Sequence, residues 1–432
     1  MKTVATTVEQ NLCCSCGVCK GICPKNCITY HREHGMFLPE IDTEKCVSCG
    51  LCADVCPGLG HTYTAKSTAA DTVTGEVLAC FNAWSRESDL RHVSASGGVV
   101  STIVKVLLEA GVYDAVFTLD TYDYHEQLKT RRYTVEDFCV DWKKSSTPKS
   151  RYLPVSHEDT VSYIRAHRSE KLIIIGTSCA MRGMLSAIDK LGISRNQYLF
   201  IGLFCDKVFN YNVLQYWNDT YSPDSIIEKL HFKNKESGGW PGDMKFYPEE
   251  KEPFYVPLSD RAKAKAYFMP ERCLYCVDKL NVCADISVGD NYTGKDESEF
   301  GSNSVIVRTS IGLDAWEMAR EKLEIRDITI TDVEKAQAID LRLNNLYYGD
   351  LRHPKLNLNQ GVQREKEGSG YNKQWETELQ KLSAGAVYDT EPDQLTKQIK
   401  IDNKKPNPVA RFIRRAFGYI RRKLKHDDCT AK

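Results

Sequence analysis

No stretch of this 432-residue chain is apolar for long enough to span a membrane as a helix. Its first residues, MKTVATTVEQNL, lack the apolar core of a secretory signal, so a reducing, cytoplasmic setting is expected. There is no excess of charge either. The 58 Lys and Arg balance 58 Asp and Glu, which argues against nucleic acid as a partner. No Ser–His–Asp set and no paired-carboxylate pattern stands out, so hydrolysis is set aside. At this length two or three domains are expected rather than one small core. What the chain has in quantity is cysteine, 18 in all. In an unsecreted chain that number points to metal ligation by free thiolates.

The first thiols fall into two copies of one pattern. Cys13, Cys16, Cys19, Cys23 and Pro24 are followed by Cys46, Cys49, Cys52, Cys56 and Pro57. Each copy reads C-x2-C-x2-C-x3-C-P, the bacterial ferredoxin run for a [4Fe–4S] cluster. Three thiolates two residues apart wrap one face of a cube, while the proline turns the fourth toward the other cluster. One cluster is therefore assigned to Cys13, Cys16, Cys19 and Cys56, the other to Cys46, Cys49, Cys52 and Cys23. Gly17 and Gly50 hold matching positions, where a missing side chain lets backbone amides approach the sulfurs. Zinc sites favour paired C-x2-C across a long gap, not triplets closed by C-P. A disulfide framework needs a secreted chain. Cys14 and Cys27 fall outside the pattern and read as packing residues.

Residues 1–66 thus read as an α+β, ferredoxin-like two-cluster module. Thr64–Thr74 is a connector, and an α/β domain begins near Leu78. A helix is expected over Ala95–Gly111, opened by Ser94, Ser96, Gly97 and Gly98. A Ser/Gly-rich helix start suits a phosphate, but by itself the motif reads first as an ordinary N-cap. Val112–Asp120, Leu172–Gly176 and Tyr198–Phe204 read as buried strands. Cys179 and Cys205 follow the last two, at the carboxyl ends where open parallel sheets place ligands. With Cys273 and Cys276 they are candidate ligands of a third cubane; Cys283 is a rival for the fourth position, and buried packing thiols are the alternative. Strands at Ser304–Thr309 and Ile325–Ile330 alternate with helices at Asp314–Leu323 and Asp332–Asn344. Residues 349–408 read as an extended, poorly packed linker. Residues 409–426 form a basic amphipathic helix suited either to an anionic membrane surface or to a protein partner.

Together these residues resemble the coenzyme F420 hydrogenase/dehydrogenase beta-subunit family over roughly residues 10–345. The resemblance rests on the double ferredoxin run, Ser94–Gly98 with Val99, Gly176-Thr177-Ser178-Cys179, Leu203-Phe204-Cys205, Cys273-x2-Cys276-x-Asp278, Ala284–Asp290 and Val305–Thr309. It implies an α/β flavin-binding domain, with an N-terminal region over 75–165 and a C-terminal region over 166–348 that holds the third [4Fe–4S] cluster. It implies FAD as the reactive centre, beside Ser94, Ser96, Gly97, Gly98, Asp290 and the Lys149–Ser150 element. It also makes Cys179, Cys205, Cys273 and Cys276 the ligands, and Cys283 a bystander. Ser178 departs from a usual proline, Asp206–Lys207 is unusual after the cluster cysteine, and the tail from Gly349 has no counterpart.

Clusters carry single electrons and a flavin pairs them. The resemblance therefore implies an oxidoreductase fed by a donor or acceptor such as ferredoxin. Its substrate would be coenzyme F420 or another small, sugar or lipid-linked molecule. The alternative is an electron-transfer subunit of a larger redox complex without catalysis of its own, and a third is a cluster protein that has lost its flavin. The setting is cytoplasmic, with the basic tail as a candidate peripheral membrane contact.

Overall fold

The computed structural model describes residues 3–60, 73–120, 126–141, 149–358 and 371–404. The expected connector largely, and the basic C-terminal helix wholly, lie outside them. None of the described helices is long and apolar enough to cross a membrane.

The N-terminal module is small. Strands β1 (Ile28–Glu33) and β2 (Met36–Ile41) form an antiparallel hairpin. Each cysteine run closes on a short helix, Val18–Ile22 and Leu51–Asp54, capped by glycine at φ 79°. The two runs repeat a rarer feature as well: Ser15 and Ser48, each two residues past the first cysteine, have φ of 49° and 57°. Few L residues adopt that conformation. At Gly17 the requirement is doubled, because a Cβ would come within 2.1 Å of Ser156 Oγ. That glycine serves the packing of the module on its neighbour at least as much as it serves the sulfurs.

The α/β body is a nine-stranded sheet built from β3 (Ala79–Ser85), β4 (Ala115–Leu119), β5 (Leu128–Tyr133), β6 (Val155–Ser156), β7 (Leu172–Thr177), β8 (Tyr198–Leu203), β12 (Ile286–Asp290), β13 (Asn303–Val307) and β14 (Leu323–Asp327). Their order is β14-β3-β13-β12-β8-β7-β4-β5-β6. The centre, β12-β8-β7-β4, is parallel, and antiparallel strands flank it. Both faces are covered, and the two-residue period of a strand decides which side chain goes where. Ile173, Leu199 and Ile201 join the core under helices Val99–Glu109 and Ser310–Ala319. Leu172, Ile174, Tyr198 and Phe200 join the opposite core, under helix Ser178–Lys190. Val18, Ile22 and Val55 of the cysteine module pack into that second core, so the module rests on the sheet. A separate three-stranded sheet, β11 (Phe254–Val256), β10 (Asp243–Pro248) and β9 (Ile227–Asn234), stands beside it.

Sequence periodicity places the strands well and several helix ends poorly. The expected helix over Ala95–Gly111 starts only at Val99, because Gly98 at φ 82° ends a preceding turn after helix Ser88–Val93. The helix expected at Asp332–Asn344 is broken into Ile330–Ala336, Ile339–Arg342 and Asn344–Arg352, with Ala338 at φ 51°. The larger correction concerns the linker expected over 349–408. The chain there forms helices Tyr371–Ala386 and Pro392–Lys404. Leu382, Ala384, Tyr388 and Leu395 are buried, and Gly385 lies so close to Tyr267 that a Cβ would come within 2.0 Å of its carbonyl oxygen.

Asp285 pins the sheet from within. It is 1 % exposed and pairs with Arg195 at 2.8 Å. It also accepts from the Phe200 amide at 2.7 Å and the Thr309 hydroxyl at 2.7 Å. Asp285→Ala leaves Arg195, an amide and a hydroxyl without their acceptor. The expected loss is about 3–5 kcal/mol, read as a lower denaturation midpoint.

Candidate functional site

Three cavities hold the cysteines that the sequence singled out, and each draws on separate parts of the chain. The first is lined by Cys13, Cys16, Cys19 and Cys56, with Cys14, Tyr30, Pro57 and Gly58. The second is lined by Cys23, Cys46, Cys49 and Cys52, with Pro24 and Cys27. In each the fourth thiol comes from the other run, because the C-P turn carries Cys23 and Cys56 across. The third is lined by Cys179, Cys205, Cys273 and Cys276. Cys283 does not line it and is buried in the apolar core against helix Ser178–Lys190.

The local structure explains the third gathering. Cys179 sits in the first turn of helix Ser178–Lys190, just past β7, and Cys205 lies just past the end of β8. The two strands are parallel neighbours, so their carboxyl ends lie side by side. Cys273 and Cys276 come in on the short helix Glu271–Leu274 and the turn after it. The backbone ties that turn down: the Cys205 amide donates to the Lys279 carbonyl at 2.9 Å, and Ser178 Oγ to the Asp278 carbonyl at 2.8 Å.

The electrostatics of these cavities suit a bound metal centre. Burial pushes the Cys13 thiol up to about 12 and Cys273 to about 11, and raises Cys16, Cys19 and Cys205, with neighbouring thiols adding to it. A set of crowded, buried thiols is costly to ionise, and cationic iron removes that cost by taking the place of the protons. Among the described residues no three His, Cys, Asp or Glu side chains converge on one ion. A mononuclear zinc site with Zn–S of about 2.3 Å would bring its thiolates within about 4 Å of one another. Thiols spread around a cavity fit a larger, multi-iron group. Hydrogen bonds to sulfur are in place too. Thr7 Oγ1 lies 3.3 Å from Cys56 Sγ, and Tyr30 Oη lies 3.7 Å from Cys19 Sγ.

Two thiols expected as packing residues also line cavities, and Cys27 does so while packing in an apolar core. Cys14 lines both the first and the third, and a hydrogen bond from it is the leading cause that draws Cys179 down to about 6. Cys27 lines the second cavity, its sulfur 3.4 Å from that of Cys23. The one-in-three spacing rule passes over both because it reads only the repeat.

The first and third cavities share Cys13, Cys14 and Pro57 as walls. From the third, short contacts lead to Asp290. Phe204 donates its amide to the Val288 carbonyl at 2.9 Å, and its ring fills the place of a side chain at Gly289. Lys279 Nζ donates to the Gln337 carbonyl at 2.6 Å, and Gln337 Nε2 to the Asp290 carbonyl at 2.9 Å.

Asp290 and the other residues expected at a flavin surround two lysines that the sequence reading missed. Asp290 pairs with buried Lys233. Lys235 donates to the carbonyls of Arg91 at 2.5 Å and Ser96 at 2.7 Å, and it feels the charge of Lys149. The hydroxyls of Ser94 and Ser96 are turned inward, to the Leu90 carbonyl at 2.7 Å and the Ser302 carbonyl at 2.8 Å. The Val99 amide meets Asn303 Oδ1 at 3.4 Å. Gly97 has backbone on one side and Asn303 on the other, and a Cβ would meet both inside 3 Å. Ser150 follows Lys149 and is half-buried. The signal for the missed lysines was Lys229-x-His231-x-Lys233-x-Lys235, a two-residue alternation along β9 and just past its end. Leu230 and Phe232 take the core face, leaving the basic side chains on the other.

These cations crowd one another. Burial, with Arg151, Lys229 and Lys245 adding to it, draws Lys149 down to about 8. Burial beside Lys149, Arg91 and Lys233 draws Lys235 to about 7. Burial, with Lys149, Lys229 and Arg151 adding to it, takes His231 to about 3. A converging set of cations held below their ordinary pKa marks a place that favours an anion.

Comparison with known proteins agrees in order and extent. Residues 80–137 match the N-terminal part, and residues 169–331 the C-terminal part, of the family described as "Coenzyme F420 hydrogenase/dehydrogenase, beta subunit". Residues 39–58, which contain the second cysteine run, match the "4Fe-4S binding domain". The chain is 23% identical over 333 residues to an F(420)H(2) dehydrogenase subunit of Methanosarcina mazei, covering 75% of this chain and 87% of that one. It is 24% identical over 259 residues to the beta subunit of the coenzyme F420 hydrogenase of Methanosarcina barkeri, covering 58% and 81%. A chain in the F420-reducing [NiFe] hydrogenase complex of Methanosarcina barkeri aligns with a TM-score of 0.49 at 20% identity, over 68% of this chain and 98% of that one. The chain belongs to the coenzyme F420 hydrogenase/dehydrogenase beta-subunit family and carries an iron–sulfur binding domain at its N-terminal end.

Proposed function

We propose that the protein is an iron–sulfur electron-transfer subunit of a larger redox assembly, relaying electrons between its cysteine module and an FAD on the α/β body. The observation that carries this is the run of thiol-lined cavities, with the first and third sharing walls and the third leading to Asp290. Cys13, Cys16, Cys19 and Cys56 would hold one [4Fe–4S] cluster, Cys23, Cys46, Cys49 and Cys52 a second, and Cys179, Cys205, Cys273 and Cys276 a third. When bound, such clusters supply single-electron transfer and a flavin supplies the pairing of electrons.

The rest falls to the chain's own residues. Residues 1–66 form the cluster module, and residues 75–165 and 166–348 the two parts of the flavin-binding body. The turn at Ser94–Gly98, through its amides past Ser94, whose own N–H donates to the Leu90 carbonyl at 3.1 Å, would hold the anionic part of the flavin together with Lys149, Ser150, Lys233 and Lys235, with Asp290 fixing Lys233. The serine hydroxyls, already spent on carbonyls, only shape the turn. Both curated relatives are named as subunits, which supports protein partners over a free-standing enzyme.

A second reading, a complete enzyme acting on coenzyme F420 or another anionic organic substrate, draws on the cations at Arg151, Lys229 and Lys245 beyond the flavin turn. One experiment separates the two. Anaerobic protein is mixed with reduced ferredoxin, and the cluster and flavin bands are followed with and without oxidised deazaflavin. Bleaching without turnover supports the electron-transfer role; turnover by the isolated chain supports the enzyme; no bleaching of either centre overturns both.

The lysines also set a pH dependence. Lys235 and Lys149 lose their protons near pH 7 and 8 in the free protein, and a bound anion raises both values. Affinity for FAD, or for pyrophosphate as a probe, is therefore expected to fall from pH 6.5 to pH 9, with proton uptake on binding in between. Calorimetry in buffers of different ionisation enthalpy reads both.

A further inference from the structure

We propose that Arg272 is the charge shared by the first and third cluster sites, and that it biases electrons toward that inner pair and away from the second. This rests on the three-cluster reading above. Arg272 is 7 % exposed and lines the third cavity, next in sequence to Cys273. Its guanidinium also reaches the wall of the first cavity. Nε donates to the Gly58 carbonyl at 3.1 Å, and Nη2 to the Pro57 carbonyl at 3.4 Å and the Leu358 carbonyl at 3.2 Å. Pro57 and Gly58 line the first cavity and directly follow Cys56. The side chain therefore stands between the two sites and is tied by hydrogen bonds to the loop of one and by the chain to a thiol of the other.

Two features separate it from the neighbouring cations. Arg182 is neutralised by Asp278 at 2.9 Å, Arg342 lies 3.6 Å from the Asp206 carboxylate, and Lys207 lines the third cavity but not the first. Arg272 has no carboxylate within ion-pair distance among the described residues, and its partners are carbonyl oxygens. Its Nη1 is buried with no hydrogen-bond partner there. A buried, uncompensated guanidinium is expensive, and it is retained where negative charge accumulates beside it. Each cluster gains one negative charge on reduction, and in a buried setting that charge is stabilised by a nearby cation, which raises the reduction potential. The second cavity is lined by none of these residues and does not share the effect.

The test is a redox titration of the anaerobic full-length chain, followed by electron paramagnetic resonance, with iron measured on every sample. Arg272→Gln with full iron is expected to move two of the three midpoint potentials negative, each by a tenfold or greater change in the reduction equilibrium, about 59 mV for one electron. The third potential stays. Arg272→Lys, which keeps the charge, is expected to stay near the parent. Full iron with all three potentials unmoved in Arg272→Gln overturns the proposal. Equal shifts in the Gln and Lys variants overturn it too, since the hydrogen bonds rather than the charge would then be responsible. If Arg272→Gln does not retain its iron, Arg272→Met, also uncharged and of similar length, takes its place: a tenfold-equivalent drop in two of the three potentials upholds the proposal, and three unmoved potentials end it. A parent protein with fewer than three clusters is a different failure, that of the three-cluster reading itself.

Discussion

Anaerobically prepared Cys273→Ser/Cys276→Ser protein is expected to hold about eight irons per chain where the parent holds about twelve. The two thiols sit on one short helix and turn, and they are two of the four proposed ligands of the third cluster. Of the four proposed ligands their loss leaves only Cys179 and Cys205, at the ends of β7 and β8, too few to keep a cubane. The first two cavities draw on residues 3–58 and do not use this turn. Reduced ferredoxin should still bleach the two clusters of the module in this variant, while the flavin stays oxidised. Cys283→Ser is the control. Its sulfur lies in the same core as Met181 and Met184 and lines none of the three thiol cavities, so iron should stay at about twelve while stability falls by about 1–3 kcal/mol for a buried hydroxyl. If Cys283→Ser loses four irons and the double variant does not, the ligand set is wrong.

The second large effect is expected at Lys233. Its side chain is 3% exposed and pairs with Asp290, 17% exposed. Burial alone would lower its pKa, but Asp290 outweighs burial and raises it, so the ammonium is charged throughout the neutral range. Lys233→Met strands a carboxylate beside a buried face, at a cost of about 3–5 kcal/mol, and removes a cation from the flavin's expected place. Lys233→Met/Asp290→Leu should recover most of that stability, because an apolar pair of similar volume replaces a buried ion pair at little cost. It should not recover the flavin. Unfolding midpoints and releasable FAD, measured on the same three samples, separate the two roles. Flavin retained by the double variant would show that the pair is only structural.

Much of the site was legible because it is written in short, local patterns. Two cysteine runs closed by proline announce both thiol-lined cavities of the N-terminal module and the exchange of Cys23 and Cys56 between them. Buried strands of unbroken apolar residues announce that Cys179 and Cys205 lie at carboxyl ends, and β7 beside β8 does the rest. The parts that escaped depend on contacts made far along the chain. Nothing near Arg272 says that the carbonyls of Pro57 and Gly58 await it. The lysines of β9 look like a solvated strand edge until Asp290 and the Ser96 carbonyl are placed against them. The helices at 371–404 carry a polar composition that suggests a loose tail. The few apolar side chains of this segment nonetheless find cores built by others: Tyr388 and Leu395 join Phe268, Tyr216 and Trp217, and Leu382 joins Met269 and Leu274. The broken helix after Ile330 turns on Ala338 in a left-handed conformation, which composition does not foretell.

The account's central claim is that thiols from distant parts of the chain close around three iron–sulfur cubanes, and one measurement reaches it most directly. Protein purified without oxygen and reduced with dithionite is frozen, and its paramagnetic resonance is integrated against iron content. Three reduced cubanes give about three spins per chain at about twelve irons, with spectra broadened by mutual interaction. About two spins at about eight irons would contradict the claim for the third cavity, and a spectrum without cluster signals from protein that has been given iron and sulfide would contradict it for all three.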